Sequence, residues 1–266
     1  MNHAAMNASR FDGFADLYED FRPSMPYFPI KIIKQYLERT PDLVVDLGCG
    51  TGLSALSWKN HCKQIIGIDP NKEMLSIAQK KQQQTLSFKE AFSDDTQLPD
   101  QCADVVICSQ SFHWMNPQTT LLEVSRILKS GGIFATVDCD WPPICNWLAE
   151  KAYNTLFARV AEIEKTNPEV NGKFTKWNKE QHLTNMIKSQ HFRFAREIVF
   201  SNEESCDVNR FIHLALTQGG LHHIVKKRPD LISASIEDFK NTVSSIFPTQ
   251  QTFSIHFSYR MRIAIK

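Results

Sequence analysis

Residues Val44–Gly52 read VVDLGCGTG, and this stretch decides the fold. The β-branched run Leu43–Leu47 predicts a strand buried on both faces. The glycines after it predict a tight turn, and Leu53–Trp58 a helix. Strand, glycine turn and helix in that order open a doubly wound parallel sheet. Gly48 and Gly50 can take backbone angles that a Cβ forbids, and they let a ligand approach the main chain. A turn for a dinucleotide pyrophosphate would read GxGxxG, with its third glycine at Leu53. Here the spacing is GxGxG, with Asp46 two residues ahead. An acid at that place suits a ligand with a cationic amino-acid portion better than a pyrophosphate.

Outward from the turn, short β-branched runs alternate with amphipathic stretches, the pattern of a parallel sheet covered by helices. Gln64–Asp69 (QIIGID) is the second strand. Asn71 is the N-cap of a helix that turns Met74, Leu75 and Ala78 inward. Leu86–Glu90 and Ala103–Ser109 are the third and fourth strands. Asn116-Pro117 starts a helix whose apolar stripe is Leu121, Val124 and Leu128, and Gly131-Gly132 ends it. Ile133–Asp138 is the fifth strand, Phe194–Ser201 the sixth and Phe253–Ile265 the seventh. Residues 141–190 read as mainly helical, with Trp147, Leu148, Leu156 and Val160 facing inward, and 202–247 is helical again. The expectation is one domain over 1–266: an α/β, Rossmann-like, seven-stranded and mostly parallel sheet. The two helical insertions are expected as lids, because such a sheet binds ligands outside the carboxyl ends of its strands.

The composition narrows the function classes. A formal net charge of +1 gives no global field to recruit nucleic acid or an acidic membrane. No apolar run reaches the length of a membrane span, and residues 1–30 lack a signal-peptide core. The seven cysteines are scattered, without a CxxC pair. That usage fits reduced thiols in a cytoplasmic protein better than a disulfide framework or a metal site.

Asp69 ends the second strand, where a carboxylate can accept both hydroxyls of a ribose or merely cap the following helix. Alone it does not separate a nucleotide cofactor from an adenosyl one. VVDLGCGTG, GIDPN and ILKSGGIF together resemble the landmarks of class I S-adenosylmethionine-dependent methyltransferases. FADLYEDFRPSMP, DDTQLPDQCADVV and SQSFHWM resemble the trans-aconitate methyltransferase-like branch, so the likeness runs from about Phe11 to Asp138. The resemblance implies S-adenosylmethionine as cofactor and S-adenosylhomocysteine as product. It implies Asp46, Gly48, Cys49 and Gly50 around the methionine portion, Asp69 and Pro70 at the ribose, and Met74 against the adenine. Ser93 and Asp94 fall at the adenine edge. Many relatives carry an acid or a small residue just before that pair; this chain has Phe92, so backbone contact from Ser93 is expected there. Tyr18 and Arg22 belong to a segment that folds over the cofactor in relatives, with Arg22 a candidate for its carboxylate.

Gln110, Ser111, Phe112, His113 and Trp114 follow the fourth strand at the mouth of the expected pocket. Gln110 is read as a cofactor contact. His113 is the candidate base, or else a histidine bonded to backbone. Trp114 and Trp141 are candidate substrate walls. Trp177 lies in the same region, expected as a lid, where each tryptophan is equally a core residue. If the acceptor is an anion, Arg210, His213 and Arg159 are candidate cations for it. The expected reaction is methyl transfer to a small-molecule acceptor, with O-methylation of an organic acid favoured. The rival readings are a non-catalytic adenosyl-binding protein and a nicotinamide-dependent oxidoreductase. Leu53 in the place of the third glycine argues against the latter.

Overall fold

Leu43–Leu47 forms strand β1, with Val44, Val45, Asp46 and Leu47 all buried. It runs parallel to β2 (Gln64–Asp69) on one side and to β4 (Ala103–Ser109) on the other. The chain therefore leaves β1 in one direction and returns on the other, which makes a topological switch point beside it. The structure is a computed structural model that describes residues 6–8, 12–13, 15–170, 174–248 and 251–266. Phe11 and Phe14, at the head of the N-terminal resemblance, lie outside the described residues. With β3 (Leu86–Glu90), β5 (Leu128–Cys139), β6 (Phe194–Cys206) and β7 (Phe253–Ile265), the sheet has the order β3-β2-β1-β4-β5-β7-β6. β7 is antiparallel to both neighbours. This is the expected α/β, Rossmann-like methyltransferase fold.

Both faces of the sheet are covered. Ile30 and Ile33 of the helix Tyr27–Leu37 share one core with Ala55 and Trp58, against Val44, Val105 and Ile133. On the other face Leu121, Val124 and Ile127 pack on Val45, Val106 and Phe134. Each such side chain contributes about 1.5–3 kcal/mol when fully buried, so the alternating apolar runs suffice to fix the layers. Asn71 caps its helix (Lys72–Gln79) by accepting from Met74 N, and Asn116 does the same for Pro117–Ile127.

Three details differ from the sequence reading. Gly131-Gly132 do not end a helix; the helix stops at Ile127 and β5 already runs from Leu128, with Gly131 at φ +74° inside it. β6 continues past Ser201 to Cys206, because all thirteen of its residues pair with β7. The sequence reading places residues 202–206 at the start of the second helical stretch; they extend the strand instead, and an edge strand tolerates polar side chains on its open side. Trp147 and Leu148 are exposed, at 69% and 41%. The inward stripe of their helix (Trp147–Thr166) is Ala149, Tyr153, Leu156, Val160 and Ile163, whose spacing turns 147 and 148 outward.

Candidate active site

The turn after β1 is held by main-chain bonds to the end of β2. Gly48 N and Cys49 N both donate to Ile68 O, at 2.7 and 3.1 Å. Gly48 and Gly50 adopt φ of +69° and +54°, a region costly for side chains with a Cβ. Their surroundings differ. A Cβ on Gly48 would lie 2.5 Å from Ser111 Cβ, whereas one on Gly50 would meet no protein atom within 4 Å. Gly48 is thus glycine for packing, and Gly50 leaves room for something else.

That room is a cavity of about 380 Å³ at the carboxyl ends of β1, β2 and β4. Asp69 stands in its wall and clamps the turn. Its Oδ2 accepts from Gly50 N at 2.9 Å and its Oδ1 from Asn71 N at 2.8 Å. Each oxygen keeps a second acceptor position. Burial pushes the Asp69 carboxyl up to about 6, against the pull of those two backbone donors. Arg22 lines the same cavity, its guanidinium 4.6 Å from the Trp141 ring centroid and 5.3 Å from that of Tyr18. Its Nη1 is buried without a hydrogen-bond partner among the described residues. An orphaned cationic donor and an open Gly50 beside a carboxylate fit a ligand with an acid group and a hydroxylated ring.

Residues 45–136 match the protein family described as methyltransferase domain. This stretch is methyltransferase-like in sequence. Over 124 residues the chain is 35% identical to the probable S-adenosylmethionine-dependent methyltransferase CRG1 of Saccharomyces cerevisiae, covering 44% of this chain and 43% of that one. Over 138 residues it is 28% identical to the uncharacterized methyltransferase YcgJ of Bacillus subtilis, covering 50% and 54%. The chain thus spans only about half the length of these curated relatives. Its fold is similar to that of an Anaeromyxobacter dehalogenans protein assigned provisionally to the type II methyltransferases. That match has a TM-score of 0.67 at 17% identity and covers 92% of this chain and 97% of the other.

Within the matched stretch and its flanks, most of the residues singled out in the sequence meet at one cavity. Tyr18, Arg22, Gly48, Cys49, Gly50, Asp69, Pro70, Met74, Ser93, Asp94, Gln110, Trp114, Trp141 and Trp177 all line it. Ser93 Oγ is 2.9 Å from Thr120 Oγ1, and Thr119 Oγ1 donates to Asp94 at 3.4 Å. Three candidates stand elsewhere. Asp46 is wholly buried behind the turn and accepts from Ser54 Oγ at 2.5 Å. Burial raises its carboxyl to about 7, and Ser54 is the group that reaches the cavity wall. His113 sits behind the wall with Nδ1 3.6 Å from Asp138 Oδ1. Burial lowers its pKa to about 3, so it stays neutral and fronts no acceptor. Arg210 is tied to Glu204 and to Ser205 O, outside the cavity.

The other proposed cations are also engaged elsewhere. Arg159 pairs with Glu162 at 2.7 Å, and His213 bonds Asn209 O and stacks on Phe21. Among the described residues no part of 202–247 lines the cavity, while Thr175 and Trp177 of the first insertion do. Ser111, expected at the pocket mouth, is also a wall residue, whereas Asn7 and Tyr259 are wall residues that the sequence did not single out as such. Asn7 joins two covering segments, donating to Trp114 O and Thr175 O at 2.7 and 2.8 Å. Its partners lie 107 and 168 positions away, so no local pattern reveals it. Tyr259 belongs to the alternating buried face of β7, which was a signal for packing only. All seven cysteines are unpaired, and the described residues hold no cluster suited to a metal ion.

Proposed function

We propose that this chain transfers a methyl group from S-adenosylmethionine to a small-molecule acceptor, with an organic acid methylated on oxygen the favoured case. The observation that carries the reading is the cavity itself. Its lining includes the Gly48–Gly50 turn clamped by Asp69 and Arg22 over Trp141. Its volume, about 380 Å³, lies in the range of roughly 300–1,000 Å³ usual for small-molecule sites.

The roles follow from position. Asp69 accepts the ribose hydroxyls, and Met74, Ser93 and Asp94 flank the adenine. Gly48, Cys49 and Gly50 admit the methionine portion close to the main chain, with Tyr18, Arg22 and Gln110 around it. Asp46 acts through Ser54. The bound sulfonium supplies an already activated methyl group. The protein's own work is to hold the acceptor in line and exclude water, which is worth up to about 7–11 kcal/mol in favourable cases. With His113 neutral and off the wall, no side-chain base is assigned; an ionised carboxylate acceptor needs none. That absence of a base is what favours an acid acceptor, in keeping with the trans-aconitate methyltransferase-like motifs.

Trp114, Trp141 and Trp177 are the proposed acceptor walls, and 174–182 the part of the first insertion that covers them. The net charge of +1 and seven unpaired thiols support a cytoplasmic setting without nucleic-acid partners. No helix among the described residues is long and apolar enough to cross a membrane. The test supplies labelled S-adenosylmethionine with a panel of small carboxylic acids. The reading expects label in an alkali-labile ester. Label stable to alkali would move the transfer to nitrogen or carbon. Tight binding of S-adenosylhomocysteine without turnover on any acceptor would favour a non-catalytic binder.

A further inference from the structure

Beside the cavity lies a buried charge cluster that the methyl-transfer reading does not use. Asp138, the last residue but one of β5, is 2% exposed and is met from four elements. Its Oδ2 accepts from Arg262 Nη1 of β7 at 3.0 Å and stands 3.1 Å from His182 Nδ1. Its Oδ1 is 3.2 Å from Lys179 Nζ and 3.6 Å from His113 Nδ1. The cluster continues outward, since Arg262 Nε pairs with Glu197 Oε2 at 2.7 Å. These contacts hold the Asp138 carboxyl well below the usual carboxylate range despite its burial. Asp138 therefore stays charged and needs its cations.

One of those cations leads to the cavity. Lys179 Nζ donates to Gln110 Oε1 at 3.1 Å as well as facing Asp138. Gln110 lines the cavity, and neither Lys179 nor Asp138 does. An ammonium can only donate, so this contact fixes which end of the carboxamide faces Lys179. Gln110 also holds a left-handed backbone, φ +57°, with its N–H on Val137 O at 2.9 Å. Non-glycine residues adopt that conformation rarely, and they keep it where the surroundings over-determine them. Trp177, on the same segment as Lys179, is pinned by its N–H to His113 O at 2.9 Å.

We propose that Asp138 and Lys179 form a positioning relay that sets the Gln110 carboxamide and thereby the affinity of the cavity for its ligand. Neither is a catalytic residue; both act through Gln110. The inference rests on the S-adenosylmethionine reading above. Its test is calorimetric titration of S-adenosylhomocysteine into the full chain, with thermal melts run alongside. Lys179→Met, at a half-exposed position, should weaken binding about tenfold, as for loss of a hydrogen bond to a charged group. Lys179→Arg should stay close to wild type. Lys179→Met combined with Gln110→Ala should bind no worse than Gln110→Ala alone, since both break the same contact. Asp138→Asn should match Lys179→Met where it folds. Multiplying effects in the double variant, or Lys179→Met binding like wild type, would overturn the relay. Wild-type protein that fails to bind S-adenosylhomocysteine would instead overturn the cofactor reading, and the relay with it.

Discussion

The two ends of β1, β2 and β4 treat their acids in opposite ways. At the amino end of β4, Asp104 is completely buried, and burial alone would raise its carboxyl. Bonds from Arg39, Lys129 and the Leu43 and Asp42 amides outweigh that, and hold it at about 2. At the carboxyl end, Asp46 is fully buried and Asp69 partly so in the cavity wall, and among the described residues neither is paired with a cation. Their carboxyls are pushed up to about 7 and about 6. The first acid is a finished structural joint. The other two stand at a place where the fold leaves polar capacity unused, which is what a ligand site requires.

Gly50→Val should break the ligand end most completely. The new side chain meets no protein atom nearby, so the fold should persist under its strained φ. S-adenosylhomocysteine binding should fall by more than about a hundredfold, as expected when a side chain occupies space the ligand's backbone contact needs. A folded variant that binds normally would remove the turn from the site. Asp104→Asn should do the reverse. It should cost about 1–3 kcal/mol of stability by removing the charge and one of the two oxygens that two cations and two amides share, seen in chemical denaturation. Ligand affinity should be unchanged when measured well below the melting temperature.

Asp69→Ala should weaken S-adenosylhomocysteine at least about tenfold, since hydrogen bonds to a charged group are worth roughly 1.5–3 kcal/mol. Unchanged affinity in calorimetry would take Asp69 out of the ribose contact. Asp46→Asn sharpens the contrast through pH. Asp46 binds its proton more tightly folded, at about 7, than in the unfolded chain near 3.8. The stability it contributes is therefore present below about 4 and is lost as pH rises to about 7. Wild-type stability relative to Asp46→Asn should decline across that window; a flat difference would show that the acid is not held protonated. The smallest effect belongs to Arg210→Ala. Its partners are Glu204 and Ser205, outside the cavity, so ligand affinity should match wild type, and a large loss would redraw the acceptor wall.

The same contrast explains what could be read in the sequence. The Gly48–Gly52 turn and Asp69 were legible because their chemistry is local. Glycines answer to backbone angles, and a carboxylate at a strand end answers to its place on the sheet. The five parallel strands were legible for a like reason, since buried β-branched runs have few other uses. Asp138 ended a predicted strand but could not be read as a hub. Its partners His113, Lys179, His182 and Arg262 come from distant parts of the chain. His113 looked like a base from its neighbours, yet its ring turns to Asp138. Arg210 looked like a free cation until Glu204, six positions back, came into reach at the extended end of β6. Position along the chain predicts what the backbone does; it does not predict which buried charge answers which.

The central claim is that the cavity between Gly50, Asp69 and Arg22 holds the adenosyl cofactor. The most direct measurement is a crystal structure of the chain grown with S-adenosylhomocysteine. The account predicts the ribose hydroxyls within hydrogen-bonding distance of the Asp69 carboxylate, the amino-acid portion along the Gly48–Gly50 main chain, and the ligand carboxylate near Arg22. S-adenosylhomocysteine bound outside this cavity, or inside it with the ribose turned away from Asp69, would contradict it.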